Sequence, residues 1–190
     1  AECPFRFYLE KVLGLQPEDE ISPEILPRDR GTIIHAVLER FYREDASAMR
    51  EAKEKQGREK EIFSIVDRIL EQTFAEHADL ISRSSFALRP FQRKAIQSVV
   101  EGIISAELKT LRELPDAPFP HQCEWVFGKS EEEALRIPIA GEPDALLQGK
   151  VDRIDTTDDG QTFLVIDYKT GSLVESIHQK MIDGLHLQLP

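Results

Sequence analysis

Apolar side chains in the first 114 residues recur at the three- and four-residue spacing of amphipathic helices. The clearest stripe comprises Ile34, Val37, Leu38 and Phe41. A similar pattern covers residues 46–78 and extends again from residue 80 to residue 114. Because such a stripe marks the buried face of a helix, we predict a mainly helical N-terminal part, residues 1–114.

Prolines and glycines mark the boundaries of these helices. Phe5, Leu9 and Val12 predict a short amphipathic helix that ends near Gly14. Residues 16–29 are rich in proline and acidic residues, and their prolines forbid a continuous helix, so a linker is expected there. Three prolines between residues 115 and 120 end the last helix.

After residue 120 the pattern changes to short apolar runs separated by turns, which are typical of strands. Residues 121–127 and 135–139 read as two strands around an acidic turn. Asp158-Asp159-Gly160 is a strong hairpin signal between two further apolar runs. A helix is expected at residues 173–181.

The order of these elements predicts an α+β fold with an α/β core, in which a mixed sheet flanked by helices follows a helical N-terminal half. A chain of 190 residues, 41% hydrophobic and 31% charged, is typical of one globular domain. We therefore expect a single domain, residues 1–190, whose sheet in residues 115–190 carries the functional site.

Acidic residues occur on both arms of the predicted hairpin, Asp152 on the first and Asp167 on the second. Because an unpaired buried charge is costly, carboxylates gathered on strands favour a hard cation such as Mg²⁺ or Mn²⁺. Lys169 leaves the same face of the chain as Asp167, which would place an ammonium group beside the metal. The alternative is a surface hairpin whose charged side chains form weak ion pairs.

His35 lies next to the apolar stripe of the first long helix, with Gly31 one turn before it on the same side. The missing side chain at Gly31 would let a ligand or another backbone approach His35 closely. Taken alone, a histidine at this position is more often a structural residue than a metal ligand. Both interpretations stay open at this point, whereas His77 is most simply a surface residue.

A basic stretch without acidic residues runs from residue 80 to residue 100. Its candidate phosphate-binding side chains are Arg83, Arg89, Arg93 and Lys94. Arg89 and Arg93 share a helix face, because they are four residues apart. In an equally good interpretation these arginines pair with carboxylates elsewhere in the fold.

The net charge of −11 argues against a chain that binds nucleic acid without help, since phosphate binding normally requires a basic surface. It does not describe the local charge at a site. Two cysteines, no membrane-spanning run and no signal-peptide pattern make a reducing, cytoplasmic location the default expectation.

Four motifs in this order resemble the PD-(D/E)xK nuclease superfamily, and most closely its RecB-type and AddB-like nuclease domains. The matching segments are G-x-x-x-H at Gly31–His35, G-x-x-D at Gly149–Asp152, D-Y-K-T-G at Asp167–Gly171 and the terminal Q-L-P that begins at Gln188. The resemblance covers most of the chain. It implies a restriction-endonuclease-like sheet and favours His35 as a metal ligand over the structural interpretation.

The resemblance also implies roles for individual residues. His35, Asp152, Asp167 and the main-chain carbonyl of Tyr168 would hold Mg²⁺ or Mn²⁺. Catalysis would fall to Asp152, Asp167, Lys169 and Gln188, and Glu124 is a further acidic candidate near the metal.

In related proteins a start such as Cys3-Pro4 supplies one thiolate to a 4Fe–4S cluster. The other three thiolates follow the nuclease core in that family, so a cluster is expected only in a longer parent protein. Cys123 lies in a strand-like run and is expected to be a small core residue.

The function implied is metal-dependent hydrolysis of DNA phosphodiester bonds, with an exonuclease suspected, in a helicase-nuclease of DNA repair and recombination. DNA and a helicase domain or helicase-nuclease partner would be its partners. One alternative is a nuclease-like binding module of such a complex whose chemistry is unused. Another is a protein-interaction domain without nucleic acid. We also expect the chain to be a piece of a longer protein, because it stops within Q-L-P-x-Y.

Overall fold

Three long helices enclose the apolar core of the protein. We describe a computed structural model for residues 4–15, 23–55, 57–114, 116–130, 134–139 and 143–169. Its helices are α1 Pro4–Phe7, followed by a π-helical turn Tyr8–Val12, then α2 Pro27–Glu44, α3 Ala46–Glu54, α4 Glu59–Glu76, α5 Ala78–Ser82, a 3₁₀ turn Phe86–Leu88 and α6 Arg89–Glu113. The helices α2, α4 and α6 contact one another along their apolar stripes.

The predicted stripe of α2 is buried as expected, with Val37 and Phe41 entirely inaccessible to solvent. From α4 and α6, Leu70 and Ile104 are among the buried side chains that complete the core. Burying a large apolar side chain stabilises a fold by about 1.5–3 kcal/mol, so this interface dominates the stability of the helical part.

Two helix boundaries differ from the prediction. The helix α2 begins at Pro27, inside the expected linker, because proline is well suited to the first turn, where its missing N–H needs no partner. The helical pattern of residues 46–78 is divided into α3 and α4 near Gly57, which has a φ of 93°. Glycine adopts that left-handed conformation without steric cost, and the chain changes direction there.

The strands form two antiparallel sheets. The first is three-stranded in the order β1-β4-β5, where β1 is Phe119–Phe127, β4 is Gly149–Thr156 and β5 is Phe163–Ile166. The second pairs β2 Leu135–Ile137 with β3 Ala145–Leu147. These elements confirm the predicted α+β class, and every strand pair in the described part of the chain is antiparallel.

The predicted hairpin around Asp158-Asp159-Gly160 joins β4 to β5. The Thr157 carbonyl accepts a hydrogen bond from the amide of Gly160, which has a φ of 67°. The strands on either side of the acidic turn, β1 and β2, do not pair with each other, and the short strand β3 was not predicted. Local pattern does not reveal which partners a strand will find across a long connection.

The first sheet packs against α2 through β1 and β4. This packing places the middle of β4 beside the middle of α2. Within the described residues no helix is long and apolar enough to cross a membrane. The expected helix at residues 173–181 lies outside the described residues.

Candidate metal centre

His35 on α2 and Asp152 on β4 face each other across the interface between helix and sheet. The His35 Nδ1 atom lies 3.4 Å from Asp152 Oδ1. The other ring nitrogen, Nε2, lies 2.7 Å from the carbonyl oxygen of Tyr168 and donates to it. His35 therefore connects a carboxylate and a main-chain carbonyl that are distant from it in sequence.

Tyr168 contacts this pair through both of its main-chain polar groups. Its amide N–H donates to Asp152 Oδ2 at 2.7 Å, while its carbonyl accepts from His35. The imidazole, the carboxylate and the carbonyl thus form a closed set of contacts. Three of the predicted metal ligands, His35, Asp152 and the Tyr168 carbonyl, are brought together.

The electrostatics of the pair follow from these contacts. The hydrogen bond with Asp152 raises the pKa of His35, against the opposing effect of burial, and the charge of Asp167 contributes to the same shift. Burial pushes the pKa of Asp152 upward, but hydrogen bonds from His35 and from the Tyr168 amide outweigh it and hold that pKa below its usual range. These contacts therefore favour the protonated form of His35 when no cation is bound.

Glu124 joins this group from the neighbouring strand. Cys123 and Trp125 pair with Arg153 and Val151 on β4, so Glu124 lies opposite Asp152. Its φ of 54° is left-handed, a conformation that is rare for residues other than glycine and often marks a functional site. Possible ligand atoms of His35, Glu124 and Asp152 lie within 4.8 Å of one another.

Glu124 also contacts Lys150, to which it is ion-paired. A nitrogen and two carboxylates in such proximity fit Mg²⁺ or Mn²⁺, which prefer oxygen ligands, and the imidazole suits Mn²⁺ better. The alternation of side chains along the strand predicts that Glu124 and Val126 share a face. It does not predict the left-handed backbone at Glu124. The signal that pointed to Glu124 was its position before the G-x-x-D hairpin.

Asp167 and Lys169 lie directly after β5, where their side chains form an ion pair of 2.5 Å. Both side chains are 36% exposed, so this pair is accessible to a substrate. The structure places Asp167 near His35 without making it part of the three-residue cluster around Asp152.

A buried polar network that the sequence did not reveal lies directly behind the site. Arg153 is only 2% exposed, and its guanidinium donates two hydrogen bonds to Asp155, at 2.7 and 2.9 Å. The same guanidinium contacts Glu107 on α6 at 3.0 Å and the Tyr168 hydroxyl at 2.7 Å. Tyr42 on α2 donates to Glu107 at 2.5 Å, and its ring lies under the guanidinium at 4.0 Å.

The D-R-x-D spacing was the available signal for this network. Residues two apart on a strand share a face, so Arg153 and Asp155 point away from the side of Asp152. Their partners come from helices and could not be inferred from β4.

The glycine of the G-x-x-D motif has a packing role. A Cβ atom at Gly149 would lie 2.9 Å from the ring of Phe127, which pairs with it across β1 and β4. The ring of Phe127 is stacked on Trp125 at 5.5 Å. The absence of a side chain at Gly149 therefore leaves room for the Phe127 ring of this aromatic pair.

A cleft of about 520 Å³ opens over the cluster. Its walls come from one face of α2, the end of α4 and the strands, with Arg28, Gly31, Thr32, His35, Ala36, Glu39, His77, Glu124, Lys150 and Asp152 as lining residues. Gly31 lines it as expected from the open approach to His35. His77, interpreted from the sequence as a plain surface residue, lines the same cleft and donates from Nδ1 to the Thr73 carbonyl at 3.0 Å.

The basic stretch of residues 80–100 is mostly occupied by contacts within the fold. Arg93 pairs with Asp67 at 2.9 Å and with Glu71 at 3.3 Å, as the second interpretation expected. Arg89 donates to the carbonyls of Ser82 and Ser84. Phosphate binding by Arg83, Arg89, Arg93 and Lys94 stays a prediction.

Three remaining expectations concern Cys123, Cys3 and Gln188. Cys123 packs against the apolar core, as predicted, and burial raises the pKa of its thiol. Cys3 and Gln188 lie outside the described residues.

Comparison with known proteins identifies the family. The family model described as the PD-(D/E)XK nuclease superfamily matches residues 1–190. Two relatives, each named as the B subunit of an ATP-dependent helicase/deoxyribonuclease, come from Clostridium perfringens strain SM101 and Clostridioides difficile strain 630 and are 29% identical to the chain. A relative of the same name from Alkaliphilus metalliredigens is 24% identical.

These matches cover 100% of this chain but only 16% of each relative, so the chain spans about a sixth of their length. The family match extends over all four motifs that suggested the resemblance. The chain belongs to the PD-(D/E)XK nuclease superfamily.

Proposed function

We propose that this chain is a metal-dependent deoxyribonuclease domain that hydrolyses DNA phosphodiester bonds. The observation that carries the proposal is the convergence of His35, Glu124 and Asp152 within 4.8 Å, in a member of a nuclease superfamily. A purely structural cluster would have little reason to combine a left-handed Glu124 with a second carboxylate at the floor of a cleft.

The metal would be held by His35, Glu124, Asp152 and Asp167, together with the main-chain carbonyl of Tyr168. When bound, Mg²⁺ or Mn²⁺ polarises a phosphate and lowers the pKa of a bound water. The metal would bind the neutral form of His35. If the ring is protonated, that proton must leave before its nitrogen can serve as a ligand.

Lys169 completes the catalytic group. Its ammonium lies 2.5 Å from Asp167, so it is placed next to a proposed ligand. There it would orient the attacking water or stabilise the charge that develops on the phosphate. Gln188 would help to position Lys169 or the substrate, as the resemblance implies.

The substrate would lie in the cleft above the cluster, where its phosphates would be near two cationic side chains and a histidine. Arg28, His77 and Lys150 line the cleft beside the proposed ligands. The Nδ1 bond of His77 to Thr73 fixes its ring and leaves Nε2 without a hydrogen-bond partner among the described residues. Arg28 and Lys150, together with a bound metal ion, would offset the three carboxylates that line the same cleft, Glu39, Glu124 and Asp152.

The larger assembly is inferred from the relatives. Because they are named as subunits of a helicase/deoxyribonuclease, we propose that the chain acts as the nuclease part of a helicase-nuclease in DNA repair and recombination. An exonuclease mode of attack belongs to the same proposal, as does an iron–sulfur cluster that includes Cys3 but forms only in a longer parent protein.

The test is digestion of end-labelled single- and double-stranded DNA in Mg²⁺ or Mn²⁺, with EDTA as the metal-free reference. We expect metal-dependent cleavage that Asp167→Asn abolishes. Asp158→Asn, an equivalent change in the exposed hairpin turn, is the matched control and should leave cleavage intact. DNA binding without cleavage in either metal would favour the alternative suggested by the acidic net charge, a nuclease-like module whose chemistry is unused.

A further inference from the structure

The segment that carries the Tyr168 carbonyl is not held by the sheet. The pairing of β4 with β5 ends at Arg153 and Ile166, two residues before Tyr168. Beyond that pair, the described contacts of Tyr168 are made by side chains and by its own main-chain bonds to Asp152 and His35. A carbonyl in such a segment would move freely if nothing else restrained it.

The restraint comes from the buried network. Arg153 Nη1 donates to the Tyr168 hydroxyl at 2.7 Å, and the ring of Tyr168 packs edge-on against His35 with 5.8 Å between ring centroids. Tyr168 is therefore held at its hydroxyl by Arg153, at its ring by His35 and at its amide by Asp152. A planar guanidinium makes several directed bonds at once, so Arg153 fixes an orientation as well as a charge.

The guanidinium is itself fixed from three elements. Asp155 on β4 accepts two of its hydrogen bonds, Glu107 on α6 accepts another, and Tyr42 on α2 covers its face. The network thus connects α2 and α6 to the segment that follows β5. Tyr168 is the member of the network that contacts both His35 and Asp152.

We infer that Arg153 is a positioning residue for the metal centre, acting through the Tyr168 hydroxyl to hold the Tyr168 carbonyl where a metal ligand is needed. The inference rests on the proposed metal site and adds a role for the buried network behind it. Partners behind the ligands of a metal commonly change its affinity by about 10- to 100-fold when they are removed.

Two tyrosines of the network provide a matched experiment. Tyr168→Phe and Tyr42→Phe each remove one buried hydroxyl that is bonded to the Arg153–Glu107 pair, but only Tyr168 carries the proposed ligand. Both changes should lower the melting temperature of the metal-free 190-residue chain by a similar amount. Only Tyr168→Phe should weaken Mn²⁺ binding, by about tenfold or more, as measured by calorimetric titration.

Arg153→Lys gives a second test if Tyr168→Phe does not fold. A lysine keeps the charge but replaces the planar fork of donors with a single ammonium nitrogen, so the orientation of Tyr168 should be less well fixed and Mn²⁺ affinity should again fall. Equal Mn²⁺ affinity in the Tyr168→Phe and Tyr42→Phe variants would overturn the positioning role while leaving the metal centre in place. A wild-type chain that binds no Mn²⁺ would overturn the proposed function, and this inference with it.

Discussion

At the scale of single residues, the proposed metal site would require His35 to change between a protonated form and a neutral, metal-binding form. In the metal-free protein both ring nitrogens face acceptors, the Asp152 carboxylate and the Tyr168 carbonyl. This arrangement favours the imidazolium form. The proposed metal ion would need the neutral ring, so protons and metal would compete for the same nitrogen.

The first residue-scale prediction concerns the pH dependence of stability without metal. The pKa of His35 is raised above its ordinary value of about 6.5. Its pairing with Asp152 therefore stabilises the fold fully below that value, and this contribution is lost as the pH rises through the folded-state pKa. We expect wild type to lose more melting temperature between about pH 6 and pH 9 than His35→Gln does.

The control for this measurement is His121→Gln, since His121 is exposed on β1. That variant should follow the wild-type pH profile. If His35→Gln also follows it, the His35–Asp152 pair contributes nothing measurable to stability.

Lys169 provides the second residue-scale prediction. Lys169→Ala should reduce cleavage by at least about a hundredfold, because removal of one group that stabilises transition-state charge has effects of that order. Mn²⁺ binding should persist, because all proposed ligands remain. Calorimetric titration beside the cleavage assay separates the two effects, and full cleavage by Lys169→Ala would remove this residue from the catalytic group.

At the scale of elements, β4 contributes to the cleft with one face and to the buried network with the other. Asp152 points to the cleft, while Arg153 and Asp155 enter the buried network. At the start of the strand, the ring of Phe127 on β1 occupies the space that a side chain at Gly149 would need.

Gly149→Ala tests that packing. The new Cβ would lie 2.9 Å from the Phe127 ring, so we expect the free energy of unfolding to fall by about 1–3 kcal/mol. Phe127→Leu should relieve the clash and restore part of that stability in the double variant. Urea denaturation measures all three variants.

Gly102→Ala is the matched control, because Gly102 lies within α6 and a Cβ there meets no atom within 4 Å. Alanine favours a helix over glycine by about 1 kcal/mol, so this change should stabilise the protein. Equal effects at the two glycines would mean that the Phe127 ring does not constrain position 149.

At the scale of the whole molecule, two surfaces are candidates for the proposed binding of DNA. One is the cleft with Arg28, His77 and Lys150, and the other is the basic stretch with Arg89 and Arg93. Basic side chains of both surfaces have partners within the fold, since Arg93 pairs with Asp67, Arg28 with Asp29 and Lys150 with Glu124. The cleft is the better candidate because it lies directly over the cluster of proposed ligands.

We therefore expect the joint change Arg28→Gln and Lys150→Gln to weaken DNA binding similarly for all sequences. The log–log salt dependence should become shallower by about one unit for each phosphate that the variant no longer binds. Joint replacement of Arg89 and Arg93 by alanine is the comparison, with fluorescence anisotropy in EDTA as the measurement. An unchanged slope for the cleft variant and a reduced slope for the arginine variant would place DNA on the basic stretch.

Local pattern in the sequence was enough to predict the helical N-terminal half, the β4–β5 hairpin and the identity of the family. These features depend on short spacings: the stripe of α2, the turn Asp158-Asp159-Gly160 and motifs whose residues lie within a few positions of one another. The same motifs named His35, Asp152 and Tyr168, which the structure brings together.

Long-range packing settled how these residues meet and what supports them. His35 and Tyr168 are 133 positions apart, and their contact depends on how α2 packs on the sheet. The pairing of β1 with β4, and of β2 with β3, joins segments across connections that carry no local signal. Arg153 finds Glu107 and Tyr42 on two separate helices because a buried guanidinium needs partners from whichever elements surround it.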